Sequence, residues 1–237
     1  MSHKMLTTVI LLAAGKGSRM GADEPKQFLL LDNKPLFMYS LHAFQASPQI
    51  DRIVLVTDAA HVETVRRCLD EAMALDKVTA IVPGGAERFA SVWEGLKAAG
   101  SEGRILIHDS ARPFVDEALI GRSIQAADAF GSAAAAVPVT DTVRMVDDCG
   151  QVVMTPDRGH LRAIQTPQAF RGALVHEAYR LLMQDATLWP GITDDVMVVE
   201  KMLGVTPSLF EGSTDNRKVT TPEDLQWARI HAEESGR

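Results

Sequence analysis

The stretch Thr7–Ala14, TTVILLAA, followed directly by Gly15–Gly21, GKGSRMG, decides the fold of this chain. The first part is a short, mostly aliphatic run, which is typical of a parallel strand buried on both faces of a sheet. The second part is a glycine-rich loop. A buried strand that runs straight into such a loop predicts an α/β protein that binds a ligand where the strand ends.

Further aliphatic runs repeat this pattern, and helix-length segments separate them. We predict strands at Arg52–Thr57, Val78–Val82, Arg104–His108 and Ala133–Val137. Apolar residues at three-to-four spacing predict helices at Pro35–Gln45, His61–Met73, Arg88–Ala98, Glu117–Phe130 and Ala173–Gln184, and Thr221 followed by Pro222 predicts the start of a last helix. The alternation indicates a mostly parallel sheet flanked by helices, with residues 1–237 as a single domain.

The segment from Pro138 to Gln165 interrupts the alternation. It carries two β-like runs, VTDTVRM and QVVM, around the turn Asp147–Gly150, so we predict a two-stranded hairpin that projects from the sheet. An isolated hairpin is marginal in water and needs a partner surface. We therefore expect residues 138–165 to form a β-arm for dimerisation.

Composition excludes several classes of protein. With 24 Lys and Arg against 31 Asp and Glu, the net charge of −7 argues against a surface that coats nucleic acid. Cys68 and Cys149 are too few for a disulfide framework, and no apolar run reaches the roughly 20 residues of a membrane span. We expect a soluble, cytoplasmic protein that contacts neither nucleic acid nor membrane.

The loop Gly15–Gly21 offers backbone amides without obstructing side chains, and Arg19 adds a planar cation suited to phosphate oxygens. A plain turn, a dinucleotide fingerprint and a Walker loop are the rival interpretations. Met20 stands where the fingerprint needs its third glycine, and no Gly-Lys-Ser/Thr follows at the Walker spacing. Lys26 lies in a stretch too broken for a helix, so it can fold back over the same phosphates.

Acidic residues near strand ends suggest a metal site. Asp109 ends the fourth predicted strand, where open α/β sheets bind ligands, and Asp215 is the natural second carboxylate, with Lys218 as a further cation. Mg²⁺ prefers one or two carboxylates together with phosphate oxygens. A capping role for Asp109 and a turn role for Asp215 remain open.

Two other sets of residues are candidates for binding. Gly85, Arg88 and Ser91 follow the third predicted strand and suit the edge of a nucleobase pocket, although an ordinary glycine turn would explain them too. The second set would suit the binding of a second, anionic substrate and consists of Thr142, Arg158, Thr166 and Thr193. Taken singly, each of these residues has a structural explanation.

Seven motifs occur in one order along the chain: LAAGKGSRMG, PKQFL, GGAERFASV, HDSARPF, QTPQAF, ITDD and EGSTDNRKVTTPEDL. With this ordered set the sequence closely resembles the 2-C-methyl-D-erythritol 4-phosphate cytidylyltransferases over nearly its whole length. The resemblance implies a Rossmann-like nucleotidyltransferase fold with a protruding β-hairpin arm, Mg²⁺ as cofactor and a homodimer. It also implies transfer of CMP from CTP to methylerythritol phosphate in non-mevalonate isoprenoid biosynthesis.

The resemblance also implies roles for individual residues. Arg19 and Lys26 match the residues that stabilise charge on the triphosphate, while Arg158 and Lys218 match those that position the sugar phosphate. The other matches place Ala13, Ala14, Gly15, Gly85, Arg88 and Ser91 in the CTP pocket, Asp109 at the metal, Thr142, Thr166 and Thr193 in the methylerythritol phosphate pocket, and Arg112 in support of it. The arm of this family crosses a dimer, so Arg158, Thr142 and Thr193 are expected to complete the neighbouring subunit's site.

Two rival functions remain at this point. Ribitol-5-phosphate cytidylyltransferase shares the fold and much of the Asp109 and Thr166 motifs, but Ala111 before Arg112, together with ITDD, favours the methylerythritol enzyme. A non-catalytic nucleotide sensor is the second rival. Such a sensor would not need the full set Arg19, Lys26, Asp109, Asp215 and Lys218.

Overall fold

The computed structural model describes residues 5–15, 26–72 and 75–235. Within them a seven-stranded sheet has the order β11-β7-β10-β6-β1-β4-β5. Its strands are β1 (Thr7–Ala13), β4 (Arg52–Thr57), β5 (Val78–Pro83), β6 (Arg104–Asp109), β7 (Ser132–Pro138), β10 (Arg162–Arg171) and β11 (Ser208–Glu211). Only β10 runs antiparallel to its neighbours in this sheet. The mostly parallel α/β fold is therefore confirmed.

Seven α-helices accompany the sheet in the described part of the chain: α1 (Leu36–Ala46), α2 (Val62–Ala72), α3 (Arg88–Ala99), α4 (Glu117–Phe130), α5 (Gly172–Gln184), α6 (Asp195–Leu203) and α7 (Pro222–Ser235). Six helices lie within about one residue of the predicted positions or begin where predicted. The sequence analysis did not predict α6, nor the strands β10 and β11. None of the described helices is long and apolar enough to cross a membrane.

Side-chain alternation along the buried strands divides the core into two layers. Val9 and Leu11 of β1 pack with α1, α2 and α4 on one face, whereas Ile10 and Leu12 pack with α3, α5 and α6 on the other. A third cluster packs α7 against the start of α1 and a small hairpin, β2 (Leu30–Leu31) and β3 (Lys34–Pro35). Because both faces are covered, the central strands are almost entirely aliphatic.

Local signals explain where several helices begin and end. Asp116 caps α4 by accepting a hydrogen bond from Leu119 N at 2.7 Å, and the helix ends at Gly131 with a left-handed φ of 77°. At α7, Thr221 Oγ1 accepts from Asp224 N at 3.2 Å, and Pro222 is the first helical residue. The predicted start of the last helix is therefore confirmed.

The predicted hairpin is present as the antiparallel pair β8 (Met145–Val146) and β9 (Val152–Met154). Its apolar side chains are exposed, as Val146 at 52% and Val152 at 56% illustrate. The predicted boundaries were too wide, because Pro138 belongs to β7 and residues 162–165 belong to β10. The sheet pairing of Arg162 with Pro138 and of Ile164 with Ala136 accounts for this difference.

Candidate active site

The strand order reverses between β1 and β6. From β1 the chain builds β4 and β5 on one side, then returns to place β6 on the other. Ser110 N donates to Leu12 O at 3.0 Å, so the segments that follow the two strands start side by side. Open α/β sheets bind ligands at such a switch point, beyond the carboxyl ends of the strands.

A cavity of about 420 Å³ opens at this point, and we call it the first cavity. It brings together the predicted candidates Ala14, Gly15, Gly85, Arg88, Ser91, Asp109 and Lys218. Its remaining lining residues are Leu12, Gln27, Ala86, Glu87, Ser110 and Ala111. Ala13, also predicted here, is buried at the end of β1 and does not line the cavity.

The turn between β5 and α3 forms one wall of the first cavity. Gly85 N donates to Ser91 Oγ at 3.1 Å, which ties the turn to the first helical turns of α3. A Cβ at Gly84 would lie 2.8 Å from Ala14 Cβ and 2.7 Å from Ser91 Oγ. Glycine is therefore required where this backbone approaches the end of β1, and the close approach leaves backbone facing the cavity.

Asp109 is the charged centre of the site, and its carboxylate lies between two cations. Arg88 Nε donates to Asp109 Oδ1 at 3.1 Å, and Lys218 Nζ donates to Oδ2 at 2.7 Å. Burial alone would raise the pKa of Asp109. The charges of Arg88 and Lys218 outweigh burial and hold that pKa well below its usual range.

Arg88 is held on its other side by Asp195, the first residue of α6. Its two terminal nitrogens donate to the two oxygens of Asp195, each at 2.8 Å, and Tyr179 OH donates to Asp195 Oδ1 at 2.5 Å. Burial opposes the charge on Arg88, but Asp195 and Asp109 outweigh it and raise the pKa of the guanidinium. Burial, reinforced by Asp195, raises the pKa of Tyr179.

A second cavity, of about 290 Å³, adjoins the first and shares Arg88, Asp109 and Lys218 with it. It contains the predicted residues Arg112, Thr166 and Thr193, together with Ile164, Gln165, Gln168 and Asp194. Thr193 was expected to reach a neighbouring subunit's site, but it lines the cavity of its own chain. The short connection from Thr193 through Asp194 to α6 explains this position, because α6 is anchored by Asp195.

Hydrogen bonding around His108 determines where the Thr166 hydroxyl donates and where it accepts. Because a carbonyl only accepts, His108 Nε2 donates to Arg112 O at 3.0 Å, and Nδ1 is left as an acceptor. Thr166 Oγ1 then donates to Nδ1 at 3.1 Å while it accepts from Asp109 N at 3.1 Å. Burial lowers the pKa of His108 to about 4, which keeps the ring neutral.

The remaining candidates lie elsewhere. Thr142 and Arg158 are exposed on the arm segment, where Arg158 donates to Thr140 O, and Asp215 is exposed in the loop after β11. None of the three lines either cavity. Arg19 lies outside the described residues. Lys26 begins a short 3-10 helix, Lys26–Phe28, and its side chain is likewise outside the description.

The site residues that the sequence analysis missed include Gln27, Gln168, Asp194 and Asp195. Gln168 Oε1 accepts from both Asp195 N and Val196 N at 2.9 Å, and its buried amide joins β10 to the start of α6. Gln27 is buried in the first cavity, and neither of its amide atoms has a protein partner in the described structure. The motifs PKQF, QTPQAF and ITDD contain these residues, but spacing alone assigns them no contact.

A mostly parallel sheet, glycine turns facing a cavity at its switch point and cations around one strand-end carboxylate define a nucleotide-binding α/β protein. The family model for 2-C-methyl-D-erythritol 4-phosphate cytidylyltransferase (IspD) matches residues 7–234. The chain belongs to this family, and it is an enzyme of the nucleotidyltransferase class.

Individual relatives agree with this family. A 2-C-methyl-D-erythritol 4-phosphate cytidylyltransferase of Alkaliphilus oremlandii is 43% identical over 221 residues, which cover 92% of each chain. The protein of the same name from Lachnospira eligens is 40% identical and covers 95% of this chain and 98% of its own. The 4-diphosphocytidyl-2C-methyl-D-erythritol synthase structure from Anaerococcus prevotii has a TM-score of 0.83 at 27% identity and covers 97% of this chain and 99% of its own.

Proposed function

We propose that this enzyme transfers the cytidylyl group of CTP to 2-C-methyl-D-erythritol 4-phosphate. A phosphate oxygen of the sugar phosphate bonds to the α-phosphorus of CTP, and the bond from that phosphorus to the β-phosphate oxygen breaks. The product is CDP-methylerythritol, for non-mevalonate isoprenoid biosynthesis, and pyrophosphate is released. The observation that carries the proposal is the pair of adjoining cavities that share Arg88, Asp109 and Lys218.

The first cavity suits the nucleotide. Its glycine turns present backbone at Gly15 and Gly85, and Ser91 closes the wall beside them. We assign the nucleoside to this wall, together with Ala14, and the triphosphate to the loop that follows Gly15; Ala13 is buried beside Ala14 at the end of β1. Arg19 and Lys26 supply the cations that stabilise charge on the triphosphate in the transition state.

The second cavity suits a small polyol phosphate. Thr166 has already donated its hydroxyl hydrogen to His108, so toward the cavity it acts as an acceptor and favours a substrate hydroxyl over a phosphate oxygen. Lys218 lies between the two cavities and is suited to the attacking phosphate. Since this nucleophile is already an anion, positioning and electrostatic stabilisation suffice without a general base.

Mg²⁺ fits the first cavity as part of this proposal. Two acidic residues, Asp109 and Glu87, line the cavity, and Mg²⁺ commonly uses one or two carboxylates and completes its coordination with phosphate oxygens and water. The described residues contain no group of three or more His, Cys, Asp or Glu side chains able to hold a metal on their own. Asp109 would hold the ion, which when bound neutralises charge on the triphosphate; Asp215 stays a predicted second ligand.

We also propose a cytoplasmic homodimer. The exposed apolar face of β8 and β9 is the surface that a second copy would cover. Thr142 and Arg158 lie on the arm segment and outside both cavities of their own chain, which supports their predicted contribution to the partner's second cavity. The guanidinium of Arg158 would then contact the sugar phosphate.

A pyrophosphate-release assay tests the function. Purified protein receives CTP and Mg²⁺ with either 2-C-methyl-D-erythritol 4-phosphate or ribitol 5-phosphate, in parallel. We expect release only with the methylerythritol substrate. Release with ribitol 5-phosphate alone would favour the rival cytidylyltransferase, and CTP binding without release in either arm would identify a sensor.

A further inference from the structure

A chain of hydrogen-bonded side chains, fully buried at Tyr179 and Asp195, runs to the wall that the two cavities share. It starts at Tyr179 on α5, passes through Asp195 on α6 and Arg88 on α3, and ends at Asp109 and Lys218 in the cavities. Asp195 is completely buried and lines neither cavity. Its carboxylate is therefore placed to act through Arg88, without touching a substrate.

Asp195 fixes the orientation of the Arg88 guanidinium. The guanidinium has five N–H groups in a fixed plane. Asp195 takes one from each terminal nitrogen, at 2.8 Å, and in this orientation Nε donates to Asp109, at 3.1 Å. Bidentate pairing of this kind fixes orientation as well as charge.

The consequence reaches Asp109. With a single hydrogen bond from Arg88 on Oδ1, Asp109 keeps Oδ2 for Lys218, at 2.7 Å. An Arg88 released from Asp195 could turn until two of its nitrogens donate to both oxygens of Asp109, because bidentate pairing is the geometry that a guanidinium and a carboxylate prefer. Lys218 would then lose its place between the two cavities.

We propose that Asp195 is a positioning residue for cytidylyl transfer: by holding both terminal nitrogens of Arg88, it fixes the guanidinium so that Nε donates to Asp109 Oδ1 and Oδ2 stays with Lys218. This inference rests on the proposed function. Tyr179 and Gln168 assist, because the first donates to the Asp195 carboxylate and the second accepts from the Asp195 backbone.

The kinetic test replaces Asp195 with asparagine, which keeps its shape and removes its charge. We expect kcat for pyrophosphate release to fall roughly 10- to 100-fold, with KM for both substrates within about threefold of wild type, because misplaced groups act mainly on the transition state. Asp195→Glu should recover a substantial part of kcat. In a double-mutant cycle, Asp195→Asn should add little to the loss already caused by Arg88→Met. Wild-type kcat in Asp195→Asn, or additive losses in the cycle, would overturn the proposal.

A matched control breaks a different bidentate pair. Arg104 donates to both oxygens of Asp128 at the opposite end of β6, away from both cavities. Asp128→Asn should leave kcat and both KM values unchanged. If Asp195→Asn does not fold at the assay temperature, Tyr179→Phe is the second variant, because it removes one bond to Asp195 and leaves the charges of Asp195 and Arg88. A several-fold lower kcat with unchanged KM supports the proposal. A wild-type kcat contradicts it.

A crystal structure of Asp195→Asn tests the geometry without any activity. We expect Arg88 to contact Asp109 through two nitrogens and Lys218 Nζ to lie beyond hydrogen-bond distance of Asp109. An unchanged Asp109–Lys218 pair would refute the inference. Inactive wild-type protein would instead refute the proposed function, so the two failures are distinguishable.

Discussion

Single residues determine both the charge of this site and which of its groups donate or accept hydrogen bonds. Asp109 has cations on both oxygens, and Thr166 has its hydroxyl hydrogen committed to His108. Before any substrate binds, the carboxylate is ionised and the hydroxyl is oriented. Preorganisation of this kind is what makes electrostatic catalysis effective, because little has to rearrange during the reaction.

Lys218 provides the simplest test at this scale. We predict that Lys218→Ala lowers kcat about a hundredfold, the usual effect of losing one charged transition-state contact. Lys218 is 35% exposed, but its loss takes a hydrogen bond and a charge from the buried Asp109 carboxylate, so the free energy of unfolding should fall by roughly 1–3 kcal/mol. Steady-state pyrophosphate release and urea unfolding measure the two effects.

Lys97→Ala is the control for Lys218→Ala, since Lys97 forms a surface ion pair with Glu94 and lines neither cavity. Its kcat should match that of wild type. A Lys218→Ala enzyme with near-wild-type turnover would remove Lys218 from the catalytic set.

His108 makes a pH-dependent contribution to stability. In the unfolded chain its pKa returns to the ordinary value of 6.5, whereas in the folded chain burial lowers it to about 4. The unfolded state therefore binds the proton first as the pH falls. The contribution of His108 to the free energy of unfolding is complete above pH 6.5. It is lost as the pH falls from 6.5 to 4, by on the order of 3 kcal/mol.

Unfolding in urea at pH 7.5, 5.5 and 4.5 checks this prediction. His108→Asn keeps an acceptor for Thr166 and cannot titrate, so its free energy of unfolding should fall less with decreasing pH than that of wild type. Parallel pH curves for the two proteins would show that His108 does not contribute.

At the scale of elements, the helices fit the sheet closely at particular points. A Cβ added at Gly95 of α3 would lie 2.5 Å from Ile10 Cγ2 and 3.0 Å from Val56 Cγ2. Both neighbours are core side chains of β1 and β4 and have no room to move. Glycine at this position allows α3, which carries Arg88 and Ser91, to lie close to the sheet.

We predict that Gly95→Ala destabilises the fold, because overpacking costs about 1–3 kcal/mol and exceeds the gain of about 1 kcal/mol from helix propensity. Gly121→Ala in α4 is the matched control, since its Cβ would meet only the side chain of Gln49, at 3.3 Å. That variant should be unchanged or up to about 1 kcal/mol more stable. Thermal unfolding compares them, and equal shifts for both would contradict the packing argument.

Elements also show where sequence patterns are informative. The strands β1, β4 and β6 are aliphatic runs buried on both faces, so their composition predicts them. β10 contains the buried residues Gln165, Thr166 and Gln168, which are polar because they hydrogen-bond to Ser213, His108 and the start of α6. Without those partners in view, the same residues indicate a loop, and β10 was missed.

At the scale of the whole molecule, the arm is a feature that exposes apolar surface. Its two strands pair with each other, and their valines and methionines are about half exposed in the described structure. We predict that deleting residues 144–156 converts a dimer into a monomer, because this apolar surface is removed. Sedimentation velocity checks the change, and a dimeric deletion variant would refute it.

Mixing experiments test whether sites are shared between subunits. If Arg158 of one subunit completes the other subunit's site, Arg158→Ala protein mixed with Lys218→Ala protein should regain activity that neither has alone. The mixed dimer then contains one site with both residues intact. No recovery after subunit exchange, verified by a tagged pull-down, would place Arg158 and Lys218 in the same chain's site.

The sequence by itself determined the α/β class and the ordered motifs of the family, because these depend on local composition and spacing. Only the tertiary structure showed that Arg88 is held by Asp195, that Asp109 divides its oxygens between Arg88 and Lys218, and that Thr193 lies in its own chain's cavity. Those contacts join residues up to 109 positions apart. No local pattern encodes them, because they arise only when packing of the helices on the sheet brings α3, α6 and the loop after β11 to the same strand ends.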